Sequence, residues 1–330
     1  MLSWRYHTRR ASAQARQNWR VFVFGGVVIY DKPALSLEEQ ADKLIARGLV
    51  ADRSVLLQRL ASVNYYRLSG YLHTYRQKGP EGQPLDVFRP GTRFDDVWDR
   101  YRFDRQLRLL VLDAIERFEV SFKTQLTLNF SRNYDPFGYL DTKNLPRCNA
   151  SDFAVLLKKM ADEASRSKEE FVVHFRRKYG DSHPFLPLWM AVEIMSFGTV
   201  LALVEGMKEA DLKTVARHYG VPLPVLTSWL RTLNTIRNVC AHHSRLWNRE
   251  LGVKPTLPRY EAGSPWHDPV PMTNNRVFAV LTILKFLMSQ IAPQSGWPAR
   301  LHILRDSFPS IPRAFMGFPE NWQRHGVWNP

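Results

Sequence analysis

Cysteine is scarce in this 330-residue chain, where Cys148 and Cys240 are the only two. Two thiols cannot staple a small secreted scaffold or complete a four-cysteine zinc site, so a reducing, cytoplasmic setting is expected. No run reaches the roughly 18 apolar residues that a membrane span requires, which argues against an integral membrane protein. Strand signals are nearly absent beyond Val21–Ile29 and Tyr71–Tyr75. The familiar enzyme signatures are missing as well: no phosphate loop, no dinucleotide fingerprint after a strand, no His-Glu-x-x-His and no Gly-x-Ser-x-Gly elbow. Neither an internal repeat nor a low-complexity run is present.

Acidic residues are outnumbered. Forty-six Lys and Arg face 31 Asp and Glu, for a net charge of +15. An excess of that size favours polyanionic partners, either nucleic acid or an acidic membrane surface. The membrane reading ranks lower, because no convincing amphipathic helix accompanies the basic N-terminus. Hydrophobic residues make up 45% of the chain and charged residues 23%, ordinary globular values that argue against wholesale disorder. The first acidic residue is Asp31, preceded by Arg5, Arg9, Arg10, Arg16 and Arg20. The apolar run Val21–Phe24 is short and broken by Gly25-Gly26, unlike a secretory leader. Residues 1–31 therefore read as a basic extension: an arm for RNA, a poorly packed segment, or the product of a start codon assigned too early.

From Ser36 the pattern turns helical. Ser36 and Glu39 form a capping box, in which hydroxyl and carboxylate satisfy the orphan amides of a first turn. Ala41, Leu44, Ile45 and Leu49 follow at helical spacing. A second helix is expected over Arg53–Ala61, and a loop or small hairpin over the Gly- and Pro-rich residues 78–93. Thr92–Asn133 is the longest expected helix, with an apolar stripe from Val97 to Leu126 and no proline or glycine. Further helices are expected at Asp152–Ala164, Glu169–Tyr179, Leu186–Met207, Ala210–Tyr219, Pro224–Trp247, Thr273–Ile291 and Gln294–Ser307. Gly198 inside Leu186–Met207 is tolerable at a cost of about 1 kcal/mol relative to Ala. Eleven of the 21 prolines fall between Pro255 and Pro330, together with Trp266, Trp297, Trp322 and Trp328. The fold class is thus mostly α, with a Pro/Trp-rich and partly irregular C-terminal region packed on the helical body.

Glu116 and Glu119 sit beside Arg117 and Lys123, and Glu119–Lys123 reads as a solvated surface pair at i,i+4. One stretch stands apart: Arg237-Asn238-Val239-Cys240-Ala241-His242-His243, inside the expected Pro224–Trp247 helix. Arg237 falls on the stripe of Leu226, Leu230 and Leu233, where an unpaired guanidinium is expensive to bury. Arginine holds a phosphodiester bidentately, and histidine moves a proton at neutral pH. Together they suit RNA scission by attack of a ribose 2′-hydroxyl on its own phosphate, which needs a base, an acid and charge stabilisation but no bound metal. Arg67/His73 and Arg176 or Arg177/His183 repeat the spacing and read as chance matches in an Arg-rich chain with ten histidines. Residues five apart on a helix differ by about 140° in direction, so Arg237 and His242 do not share a face, whereas Asn238 and His242 do. One copy makes a poor site. Two copies across a two-fold axis would line one cleft, which points to a homodimer.

At these residues the chain resembles the abortive-infection Abi family (the AbiD/AbiF type), whose C-terminal motif is similar to that of HEPN ribonucleases. The resemblance spans Lys32 to Pro330 and rests on Asn64–Tyr71, Tyr101–Arg108, Pro187–Glu193 with Ser196–Gly198, Arg237–His243 and Met316–Trp322, in that order. HEPN ribonucleases carry an arginine, usually followed by a polar residue, and a histidine after four to six residues. Arg237, Asn238 and His242 match. The resemblance implies a helical bundle of HEPN type, metal-independent RNA cleavage at a site composed from two motifs, no cofactor, and a toxin-like role in phage defence. Some relatives look like partners of a small non-coding RNA. In another HEPN branch an antitoxin modifies a tyrosine two residues beyond the histidine; Ser244 stands there, so that regulation is not carried over.

Four segments follow: a basic extension at residues 1–31, an N-terminal helical region at 32–93, a HEPN-like helical core at 94–254, and a helical and irregular region at 255–330. In the resulting reading Arg237 holds the scissile phosphate, His242 acts as acid or base, and Asn238 orients His242 or the ribose. His243 and Arg245 are expected to contact RNA. The alternative is a non-catalytic RNA-binding regulator that grips a small RNA with the same motif.

Overall fold

The structure, a computed structural model, describes residues 30–329. The basic extension lies almost wholly outside the described residues, as does the strand expected at Val21–Ile29. Twelve α-helices follow among the described residues: α1 Leu37–Ala46, α2 Arg53–Ser62, α3 Tyr65–Leu72, α4 Phe94–Asn133, α5 Ala150–Arg166, α6 Glu170–Tyr179, α7 Leu188–Ile194, α8 Phe197–Gly206, α9 Glu209–His218, α10 Leu223–Ala241, α11 Val277–Ile291 and α12 Trp297–Asp306. One antiparallel hairpin, β1 Arg76–Lys78 and β2 Pro84–Phe88, fills the turn-rich stretch. The fold is mostly α.

Helix α4 is the spine. Its 40 residues contain no proline or glycine and span about 60 Å at 1.5 Å per residue. Asp95 and Asp96 in its first turn complement the positive end of the helix dipole. The buried stripe through Val97, Leu107, Val111, Ile115, Phe118, Phe122 and Leu126 lets α3, α7, α9, α10, α11 and α12 pack along it. Near its N-terminal side the Ser36–Glu39 capping box forms as the spacing predicts, with both reciprocal bonds present. The C-terminal region is held by aromatics. Phe278 of α11 meets Phe318, Trp322, His325 and Trp328 at ring distances of 4.5, 6.2, 6.0 and 6.1 Å. The Trp297 indole donates to the Leu110 carbonyl of α4 at 2.8 Å, which satisfies its one polar atom where it is buried.

Several expectations are corrected. The apolar run Leu186–Met207 is two helices, α7 and α8. Ser196 takes extended backbone between them, and its hydroxyl accepts from the Thr199 amide at the start of α8. No strand forms at Tyr71–Tyr75; α3 carries Tyr71 and Leu72, and a 3-10 turn covers His73–Tyr75. The Glu119–Lys123 pair is not solvated. Its side chains are only 15% and 10% exposed, and the Lys123 ammonium also donates to the Met195 carbonyl at 2.9 Å, tying α4 to the α7–α8 junction. Helices α11 and α12 begin later than Thr273 and Gln294, after irregular chain.

Candidate functional site

Pro224 lies in the first turn of α10, where its missing amide costs nothing. Leu226, Trp229, Leu230, Leu233, Ile236 and Cys240 face the core. The stripe thus runs on through Ile236 and Cys240. Arg237 keeps the angular position of Leu226, Leu230 and Leu233, but near the end of the helix it is half-buried and not enclosed, so its charge stays near water. Its one hydrogen bond among the described residues is a long 3.5 Å donation to Asn238 Oδ1. Cys240 is buried, and burial pushes its thiol up to about 12, with Asp104 adding to the effect. It is not a nucleophile at neutral pH.

Helix α10 stops at Ala241 rather than Trp247. His242 caps it, donating its amide to the Asn238 carbonyl at 2.9 Å. The His243 amide then donates to the Cys240 carbonyl at 3.0 Å, and the Ser244 amide to the Val239 carbonyl at 2.9 Å. This is a Schellman motif, whose turning residue is normally glycine. Here it is His243, at φ +56°. A side chain in the left-handed region costs roughly 1–2 kcal/mol, so the turn keeps an imidazole at the expense of stability. Both His242 and His243 are exposed. Among the described residues, neither imidazole makes a hydrogen bond or ion pair, so none joins Arg237 to His242.

The chain beyond the turn is clamped to α4 and α3. Asp104 of α4 is fully buried. Its carboxylate accepts from the Tyr71 hydroxyl at 2.5 Å, from Arg108, and from the Leu246 and Trp247 amides at 3.1 and 2.6 Å. Burial holds this carboxyl above the usual carboxylate range, while Arg108, Tyr71 and the two amides draw it back down. Burial also favours a neutral Arg108, yet Asp104 and Tyr71 keep its guanidinium above its ordinary value. Arg67 of α3 donates to the His243 carbonyl, and Arg245 donates in return to the Gly70 carbonyl of α3. Arg249 Nε donates to the Arg245 carbonyl at 2.8 Å. Arg245, expected to contact RNA, therefore spends part of its donor set on this clamp.

An open groove of about 530 Å³ lies between α3 and the loop, lined by Asn64, Tyr66, Arg67, Gly70, His243 and Arg245, among others. Arg237 and His242 lie outside that lining. Arg67, Arg237, Arg245 and Arg249 have no carboxylate partner among the described residues, so four positive charges at this end of the fold are uncompensated. Arg67 joins the loop that carries both imidazoles, while His73, its partner in the repeated spacing, is not in the groove's lining. His183 instead stacks on Phe137, with ring centroids 4.6 Å apart. Among the described residues, no three His, Cys, Asp or Glu side chains are grouped so as to hold a metal, and no helix is long and apolar enough to cross a membrane.

Three of the five sequence segments meet here. Asn64–Tyr71, Tyr101–Arg108 and Arg237–His243 are joined through Tyr71, Asp104, Arg67 and the loop. Met316, Phe318 and Trp322 of the Met316–Trp322 segment line a separate small pocket with Phe103 and Leu107 of Tyr101–Arg108 and are not in the groove's lining. Comparison with curated proteins and with solved structures gives no match. A family model described as Abi-like protein matches residues 58–248, more than half of the chain, and its span contains all three converging segments but not Met316–Trp322. The buried Tyr71–Asp104–Arg108 clamp and the polar end of α10 are thus features of a chain that belongs to the Abi-like protein family, a family associated with abortive infection in phage defence.

Proposed function

We propose that this protein is a cytoplasmic, metal-independent endoribonuclease of HEPN type that cuts cellular RNA during abortive infection, works as a homodimer, and is controlled by a small non-coding RNA. The observation that carries this reading is the end of α10. Arg237, Asn238 and His242 stand there at or near the surface, with arginines that pair with no carboxylate among the described residues. Arg237 would hold a non-bridging phosphate oxygen of the scissile linkage. One His242 would take the proton of the ribose 2′-hydroxyl as its oxygen bonds to phosphorus. The His242 of a second copy would deliver a proton to the departing 5′-oxygen as the P–O5′ bond breaks. The products are a 2′,3′-cyclic phosphate and a 5′-hydroxyl, with no oxidant or metal consumed. Each acid–base contribution is worth about 10²–10⁴ in rate. Asn238, one turn before His242, would orient the imidazole or the ribose.

The dimer is supported by helix geometry, which turns residues five apart about 140° from each other, and by the lack of a hydrogen bond between Arg237 and His242 among the described residues. Two-fold symmetry doubles both groups and draws an RNA backbone into one positive groove. The non-catalytic reading has its own support: the groove reaches His243 but leaves Arg237 and His242 out of its lining. Incubating the purified protein with end-labelled cellular RNA separates the two. Shortened products support the nuclease, and RNA retained at full length supports the regulator.

A further inference from the structure

Tyr66 is 72% exposed, although a tyrosine ring is among the largest apolar surfaces a protein can bury. Its backbone is also held in place. The Asn64 side chain accepts from its amide at 2.8 Å, and the Tyr65 ring stands edge-on to it, 5.8 Å away at 89°. Tyr65 is itself anchored, its hydroxyl accepting from Arg47 at 3.1 Å. Tyr66 also holds the Tyr30 phenol above its ordinary value, so the two side chains are neighbours, yet most of the Tyr66 ring stays bare. An uncovered ring on a fixed backbone, with a ring edge beside it, has lost part of the freedom that stacking would otherwise cost it.

Around this ring the groove contains Arg67, Arg245 and Arg249 and, among the described residues, no acidic residue. Each guanidinium has five N–H donors and commits to one backbone carbonyl here, so donors remain for an anion. An aromatic platform beside arginines is how single-stranded nucleic acid is gripped: bases stack on the ring and phosphates meet the cations. A groove of about 530 Å³ accommodates one nucleotide. A paired base has both faces occupied by its neighbours and cannot use the ring.

We infer that the groove between α3 and the His243–Arg249 loop is a subsite for one unpaired RNA nucleotide, its base on Tyr66 and its phosphate on Arg67 and Arg249. His243 borders the groove and His242 is its neighbour in the chain, so a nucleotide seated here places the adjoining phosphate toward the end of α10. The subsite rests on the RNA reading above, and it adds that the substrate is single-stranded at the position beside the cut.

The test uses the full chain carrying His242→Ala, to suppress cutting, and fluorescein-labelled eight-nucleotide single-stranded RNA read by anisotropy at fixed salt. Adding Tyr66→Leu should weaken binding about tenfold, the loss expected for one stacked base, while Tyr66→Phe should leave it unchanged. A duplex of the same sequence should bind more weakly than the single strand. Tyr66→Leu binding within twofold of its parent, Tyr66→Phe losing as much as Tyr66→Leu, or equal affinity for duplex would each overturn the subsite. Photo-crosslinking of RNA bearing 4-thiouridine to the chain with Tyr66 intact is an independent readout that no folding defect can confuse. Adducts on the α3 peptide support the proposal, and adducts confined to other segments overturn it. Tyr66-dependent binding by a chain that never cleaves RNA would sink the nuclease reading and leave the subsite standing. Cleavage that is indifferent to Tyr66 would do the reverse.

Discussion

Removing the Asp104 carboxylate should loosen the loop that carries both imidazoles, and the size of the effect can be worked from its partners. Asp104→Ala leaves Arg108 buried and unpaired, and breaking a buried pair this way costs about 3–5 kcal/mol. The Tyr71 hydroxyl and the Leu246 and Trp247 amides lose their acceptor as well, each at about 1–3 kcal/mol if water cannot replace it. These losses share one site and do not simply add, so about 4 kcal/mol is the expected minimum. That is a large part of the 5–15 kcal/mol available to a typical domain. At this chain length it corresponds to a Tm lower by roughly 5–10 °C. Urea unfolding gives the global loss, and amide hydrogen exchange at Leu246 and Trp247 gives the local one. Both amides should exchange far faster in the variant. Adding Arg108→Met to Asp104→Ala should recover part of the stability by removing the stranded charge, but not the protection of the two amides. A loss under about 1 kcal/mol, or unchanged exchange at Leu246 and Trp247, would refute the clamp.

Three other outcomes follow from the geometry. His243→Gly should raise stability by about 1 kcal/mol, read by urea midpoint, because glycine adopts φ +56° without the side-chain penalty; a destabilised variant would mean that the imidazole supports the turn. Burial lowers the His325 imidazole below its ordinary value, with His267 adding to the effect and the Trp266 backbone opposing it, so the fold prefers it neutral. Its contribution is fully present above the unfolded-state value near 6.5 and is lost as pH falls toward the depressed folded value. Stability should therefore decline between pH 7 and 5, and His325→Gln should flatten that decline; an unchanged slope would contradict the assignment. Finally, an excess of His242→Ala subunits co-expressed with wild type should suppress RNA cleavage beyond simple dilution, whereas suppression in proportion to dilution would argue against a shared site.

Much of the fold was legible because its signals are local. The Ser36–Glu39 box, the unbroken stripe of α4 and the glycine- and proline-rich hairpin each declare themselves within a few turns of chain. The end of α10 does not, because its Schellman turn uses His243 where a glycine would have marked the stop. The Leu186–Met207 run hides its break for a similar reason: Ser196 caps α8 from within apolar sequence. The clamp was invisible for a different cause. Asp104 and Arg108 stand at i,i+4 on a helix, a spacing that reads as a surface pair, and only tertiary packing shows them buried. The link from Arg67 to the His243 carbonyl spans 176 residues, so no local spacing announces it. Arg237, Asn238 and His242 were legible as chemistry, but their exposure and the arginines around them depend on α3 returning to the loop.

The most direct measurement is the chemistry of the RNA ends. Purified wild-type protein, its Arg237→Ala and His242→Ala variants, and an EDTA-treated wild-type sample would each be incubated with RNA and the new termini identified by mass spectrometry. Neither substitution should cost more than about 1 kcal/mol of stability, since His242 is exposed and Arg237 is only half-buried. The account predicts 2′,3′-cyclic phosphate and 5′-hydroxyl ends from wild type with or without EDTA, and none from either variant. Undiminished cleavage by folded His242→Ala, or cleavage that EDTA abolishes and a divalent metal restores, would contradict it.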